Sequence, residues 1–95
     1  MQTIKRAIEW TTAFKRDYKR EKKTYIQLEI ILAPVLEALA GDNQLDAKYR
    51  DHAMSGDWKN SRNCHVKPDL VLIYQKPDAE TLQLIRLGSH SELGI

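Results

Sequence analysis

Most of the features that would give a sequence an easy label are missing from this one. It has a single cysteine, Cys64, so no internal disulfide can form. It has no run of about 18 apolar residues, which excludes a membrane-spanning helix. The first residues, MQTIKRAIEW, lack an apolar core and a small-residue cleavage site, so no signal peptide is expected. The compartment expected on those grounds is a reducing cytoplasm. The glycines, Gly41, Gly56, Gly88 and Gly94, are scattered, so there is no glycine-rich loop to cradle phosphates. Internal repeats and low-complexity segments are also absent. The histidines His52, His65 and His90 are separated by 12 and 24 intervening residues, and Cys64 adjoins His65. That pattern fits no short zinc spacing, and no metal or other cofactor is expected. Cys64 is a weak candidate for a nucleophile, because neighbours on a strand point to opposite faces. If His65 faces a site, Cys64 faces the core.

What is present suits one soluble α+β domain spanning residues 1–95. Apolar residues make up 42% and charged residues 29%, both ordinary for a folded domain. The net charge of +2 hides an asymmetry. Residues 1–23 carry eight cations against three anions, a net of +5, while the remainder carries seven against ten, a net of −3. A basic N-terminal element points to a polyanion, with nucleic acid the first candidate. A solvated helix face is the plain alternative.

Residues 3–10 alternate as a strand would, though Arg6 interrupts the apolar face. Thr11 or Thr12 can cap a helix running to about Lys23, with Phe14 and Tyr18 inward and Lys15, Lys19, Lys22 and Lys23 outward. Thr24 can cap a second helix, Tyr25 to Ala40, with a wide apolar stripe from Ile26 to Leu39. Pro34 predicts a bend or break near Ile30 to Pro34, and Gly41 a left-handed cap. Two helices so close in sequence predict an antiparallel hairpin. Residues 42–60 read as a long connection with a short helical turn at Ala47–Tyr49. Three strands follow: Arg62–Val66, Leu70–Gln75 and Thr81–Leu87, with a turn over Lys76–Glu80. The run LVLIYQ predicts a central strand buried on both faces. The order β-α-α-β-β-β gives a mostly antiparallel sheet with a helical hairpin on one face.

If the last two strands form a hairpin, one end of it gathers His65, Asp69, Arg86 and His90. His52 lies in the long connection and is not placed by that argument. Imidazoles titrate near neutral pH and can donate or accept a proton, and arginine suits a developing phosphoryl charge. That set fits RNA cleavage by a 2′-hydroxyl on its neighbouring phosphate, which needs no metal. Trp58 and Tyr49 are candidates to stack on bases, with packing favoured for Tyr49.

The segments YRDHAMSGDWKNSRNCHVKPDLVLIY and IRLGSHSEL carry the elements DHxxxGxW, HxxPD and RxGSH in order. They resemble the C-terminal half of the YafQ branch of the RelE toxin superfamily, and IEWTTAFKRDYKREKK is similar to its first strand and basic helix. The likeness spans nearly the whole chain and is weakest at 24–48. It implies a RelE-like fold and a type II toxin that cuts mRNA in the ribosomal A site without a metal. It implies a cognate antitoxin of the RelB/DinJ ribbon-helix-helix kind, with ribosome and mRNA as further partners. DNA is reached only through the antitoxin complex, and no membrane is involved. His52, His65, Asp69, Arg86 and His90 fall on catalytic positions: His90 as acid, Asp69 with His65 as base, Arg86 on the scissile phosphate, His52 in support. Lys15, Arg16, Lys19, Arg20, Lys22 and Lys23 become an RNA- and ribosome-facing surface, with Trp58, Lys59 and Arg62. The chain departs from close relatives in three places. No aromatic follows His90, Leu70 follows Asp69, and Asn60-Ser61-Arg62-Asn63 replaces GYRD. These departures bear on codon preference and rate. They leave as alternatives a catalytically weak module that binds RNA, ribosome and antitoxin, and a free, ribosome-independent ribonuclease.

Overall fold

A computed structural model describes residues 5–95, and Leu70–Gln75 lies at the middle of its sheet. The strands are β1 (Ala7–Trp10), β2 (His52–Ala53), β3 (Arg62–Lys67), β4 (Leu70–Gln75) and β5 (Thr81–Gly88). The helices are α1 (Thr12–Glu21), α2 (Leu28–Ala40) and the short α3 (His90–Leu93). Spatial order is β1-β5-β4-β3-β2, with β1 parallel to β5 and every other pair antiparallel. The expected α+β order is present, with β2 and α3 added to it.

β4 is central because its side chains are apolar on both faces. Leu70, Leu72 and Tyr74 join the main core with Phe14 of α1 and Leu28, Leu32, Val35 and Leu39 of α2. Val71 and Ile73 face the other side, under Leu93 of α3 and the partly buried Met54, Trp58 and Ile85. Each fully buried leucine contributes about 1.5–3 kcal/mol, so most of the stability sits in the helix-facing layer. Of the two candidates Thr11 and Thr12, Thr11 caps α1, its hydroxyl accepting from Phe14 N at 3.0 Å. Trp10 then packs against Phe14 and Tyr18, with ring centroids 4.9 Å away in each case.

Several boundaries differ from the sequence reading. Strand β1 begins at Ala7; of the expected strand, residues 3 and 4 lie outside the described residues. Helix α1 stops at Glu21, and α2 begins only at Leu28, where Gln27 supplies no side-chain cap, so Thr24 caps nothing. The wide stripe resolves into a narrow one: Ile26 and Ile30 are 85% and 66% exposed. The helix is not divided at Pro34. Pro34 and Ile30 are both exposed, so water can serve the carbonyl that the missing N–H leaves free. Gly41 is not left-handed (φ −89°); that conformation falls one residue later, at Asp42 (φ 56°). Arg6, which spoiled the strand pattern, has a definite task. It donates to Asp42 Oδ1 at 2.8 Å and to the carbonyl of Asp78, tying the end of α2 to the β4–β5 turn. No helix among the described residues is long and apolar enough to cross a membrane.

Candidate active site

The strand ladder sets the first geometry. His52 pairs with Asn63, Asn63 with Ile73, and Ile73 with Arg86; in the next row His65 pairs with Val71, and Val71 with Gly88. Paired residues share a face, so His52, His65 and Arg86 all start from the face opposite α1 and α2. His52 was read as a loop residue. It is carried instead by β2, the two-residue edge strand. Its Nδ1 donates to the Arg50 carbonyl at 2.7 Å, which leaves Nε2 free.

The β4–β5 hairpin brings Asp69 and His90 together. The turn from β3 into β4 sets Asp69 beside the end of β5, where α3 begins. Ser89 and Glu92 form a reciprocal capping box that fixes that start: Ser89 Oγ accepts from Glu92 N, and Ser89 N donates to Glu92 Oε1. Asp69 Oδ1 accepts from both His90 N (3.2 Å) and His90 Nδ1 (2.9 Å). An ionised carboxylate only accepts, so the hydrogen is on Nδ1 and Nε2 is the available nitrogen. The His90 ring lies 5.0 Å from that of His65, which lies 6.4 Å from that of His52. Three imidazoles and one carboxylate therefore form a continuous cluster.

Their electrostatics differ. Partial burial is the largest influence on His65, and nearby His90, Arg50 and His52 add to it. Together they hold its pKa below the ordinary imidazole value, against the pull of Asp69. His65 is thus mainly neutral at pH 7. The His90 side chain, then the His90 backbone N–H, holds the Asp69 carboxyl below its usual range. Cys64 is fully buried on the other face and its thiol is pushed up to about 12, which removes it as a nucleophile. Among the described residues no group of three or more His, Cys, Asp or Glu is placed to hold a metal ion.

Arg86 starts from the right face but is engaged elsewhere. Its Nε donates to Asp17 Oδ2 at 2.6 Å and its Nη2 to Oδ1 at 3.3 Å. Asp17, 1% exposed on α1, also accepts from Leu87 N and from Arg20 Nη1. Arg20 is therefore not a free surface cation. It also pairs with Glu21 and Glu92 and donates to the Leu87 carbonyl at 2.9 Å. Lys15, Arg16, Lys19, Lys22 and Lys23 are exposed. Trp58 packs in the smaller apolar cluster, Arg62 pairs with Asp51 at 3.3 Å, and Lys59 is exposed. Among the described residues, no hydrogen bond or ion pair links Arg86, Arg62 or Trp58 to the histidines.

The sequence reading assigned no role to three cations near the cluster. Lys48, Arg50 and Lys67 line a cleft of about 760 Å³ together with His65 and His90. Their signal was proximity alone: Arg50 stands two residues before His52 and Lys67 two before Asp69.

Fold and site define a small α+β protein with an imidazole–carboxylate centre, able to exchange protons near neutral pH and rimmed by cations. Known proteins share that whole frame. The family described as "Bacterial toxin of type II toxin-antitoxin system, YafQ" matches residues 6–94. The mRNA interferase toxin YafQ of Escherichia coli K12 is 32% identical over 90 residues, 95% of this chain and 97% of its own. A metal-bound toxin from Helicobacter pylori is 45% identical with a TM-score of 0.82, covering 92% of this chain and 97% of that one. A chain of the Escherichia coli DinJ-YafQ toxin–antitoxin complex is 33% identical with a TM-score of 0.81, covering 95% and 98%. The chain belongs to the YafQ family of toxins of bacterial type II toxin–antitoxin systems.

Proposed function

We propose that this toxin is a ribosome-dependent mRNA endoribonuclease that cuts in the A site and is silenced by a cognate antitoxin. The observation that carries the chemistry is the His65 ring set between His52 and an Asp69-anchored His90. In this reading His65 takes the proton of a 2′-hydroxyl. The freed oxygen attacks the adjacent phosphorus, and a 2′,3′-cyclic phosphate forms. His90 enters the step protonated on both nitrogens, keeps its Nδ1 hydrogen on Asp69 and gives the Nε2 proton to the departing 5′-oxygen, completing the exchange without a metal. Asp69 acts by holding His90, a different role from sharing the base with His65. Arg86 has Nε and Nη2 committed to Asp17, so Nη1 remains for the scissile phosphate. His52 supports the charge from the far side. The exposed Lys15, Arg16, Lys19, Lys22 and Lys23 supply the face toward ribosomal RNA.

The engagement of Arg86 favours one rival, a catalytically weak module that binds ribosome and antitoxin. One experiment separates the two. The toxin is induced without antitoxin, as wild type and as His90→Ala, and mRNA ends are mapped. Growth arrest with codon-positioned cuts that disappear in the variant supports the enzyme; equal arrest and equal cuts in both refute the role of His90. Purified protein is then tested on programmed ribosomes and on naked RNA, and toxin stripped with EDTA and desalted is tested on ribosomes kept in magnesium. Efficient cutting of naked RNA refutes ribosome dependence, and loss of cutting by the stripped toxin, restored when a transition metal is added back, refutes the metal-free route.

A further inference from the structure

The cleft next to His65 and His90 has a wall that the proton-transfer scheme leaves unused. It is lined by the cations Lys48, Arg50 and Lys67 and, from α2, by Ile30, Ile31 and Pro34. Ile30 is 66% exposed, so it serves no core, and among the described residues no carboxylate lines the cleft. Three cations that make no ion pair among the described residues suit phosphates, and apolar side chains in the same cleft suit the face of a base. Arg50 is also held in the left-handed region, φ 50°, uncommon for a side chain of this size. Its carbonyl accepts from His52 Nδ1, and the residue also lines the cleft.

We infer that this cleft holds the nucleotide next to the scissile phosphate, with its base on the Ile30–Pro34 face of α2 and its phosphate on Lys48, Arg50 and Lys67. The inference rests on the ribonuclease reading and adds a binding role for α2. The wall is aliphatic and offers no base-edge hydrogen bonds, so it takes any base. It therefore sets affinity and rate, and codon choice is made elsewhere.

The test uses short all-2′-deoxy oligonucleotides, which keep bases and phosphates but cannot be cut, and the same backbone made abasic. Binding to the whole protein is followed by fluorescence anisotropy across a salt series. Ile30→Ser changes an exposed side chain and leaves the fold intact. It is expected to weaken the base-bearing strand about tenfold and the abasic strand not at all. Arg50→Gln is expected to weaken both strands and to lower the salt slope by about one. Equal effects of Ile30→Ser on both strands, or none on either, overturn the inference. An unchanged RNA affinity with a weakened antitoxin complex also overturns it, in favour of a peptide in this cleft. The two readings fail separately. If Ile30→Ser and Arg50→Gln cut programmed ribosomes at wild-type rate while His90→Ala does not, only the cleft is refuted. If His90→Ala cuts normally while Ile30→Ser shows the base-dependent loss, only the proton-transfer scheme is refuted.

Discussion

Replacing Asp17 by alanine tests whether the edge of the sheet is held by one buried carboxylate. Asp17 is 1% exposed and accepts from four donors: Arg86 Nε (2.6 Å) and Nη2 (3.3 Å), Arg20 Nη1 (3.0 Å) and Leu87 N (3.0 Å). β1 covers only the first half of β5, so Leu87 presents an unpaired edge. Asp17 takes its N–H and Arg20 its carbonyl. Removing one partner of a buried ionic network costs about 3–5 kcal/mol. Here the lower end applies, because Arg20 keeps Glu21 and Glu92, and Arg86, 27% exposed, can rehydrate. About 3 kcal/mol is a large share of the roughly 5–15 kcal/mol available to a typical folded protein. Urea unfolding followed by the fluorescence of Trp10, which packs on Phe14 and Tyr18 of α1, reads the loss as a midpoint lowered by about 1–3 M. The pH dependence supplies a second check. Burial pushes the Asp17 carboxyl up, but Arg86, the Leu87 N–H and Arg20 outweigh it and the net shift is downward. A lowered carboxyl stabilises the fold above its unfolded pKa of about 3.9, and that stability is lost as pH falls through the folded value. The acid limb of wild type should therefore be steeper than that of Asp17→Asn. A loss under about 1 kcal/mol for Asp17→Ala, or matching acid limbs, would refute the argument.

Further outcomes follow from other parts of the structure. A Cβ on Gly88 would lie 2.8 Å from Arg20 Nη2 and 3.2 Å from Glu92 Oε1, and that nitrogen is anchored on the Leu87 carbonyl. Gly88→Ala should cost about 1–2 kcal/mol, and calorimetry should show a melting temperature lower by about 4–8 °C per kcal/mol. If His65 is the base it must be unprotonated, so the cleavage rate should rise with pH through a value below the ordinary 6.5 or so. Asp69→Asn removes the one nearby charge that pulls the His65 value up, so the rising limb should move further to acid; a shift toward alkali contradicts the assignment. Cys64 should resist an aromatic disulfide reagent at pH 8 until the chain unfolds, because its thiol is buried and pushed up to about 12; reaction in the folded protein would refute that placement.

The fold was legible where local chemistry and burial agree. The run LVLIYQ allowed no polar face, and β4 is buried from Leu70 to Tyr74. Thr11 had a free first turn to cap and does so. The reading failed where two local patterns competed. Residues 26–39 contain overlapping apolar stripes, and only packing against β3 and β5 selects Leu28, Leu32, Val35 and Leu39 over Ile26 and Ile30. Thr24 was a plausible cap, yet Thr24 N and Tyr25 N bond back to the Glu21 carbonyl, so the chain turns before α2 starts. β2 has two residues and no alternation to detect. α3 did leave a trace, the Ser89-x-x-Glu92 capping pair, beyond the last expected strand.

The site was legible to the extent that topology could be argued without register. A hairpin of β4 and β5 must return His90 to Asp69, whatever the details, and the two are hydrogen-bonded. Register decides the rest. His65 pairs with Val71 and Cys64 with Leu72, so a slip of one residue would turn Cys64 toward the cations and bury His65 among leucines. The irregularity between His65 and Lys67 lies just beyond this pairing, where the strand turns toward Asp69. Arg86 shows the opposite case. Its strand position was readable, but its partner was one acid in a helix read as a cationic surface. Asp17 meets Arg86 only because α1 runs along the part of β5 that β1 leaves uncovered. The same logic joins Lys48, Arg50 and Lys67 to the histidines. Two of them precede β2 and one lies at the end of β3, so no spacing rule groups them, and pairing between β2 and β3 draws these segments together.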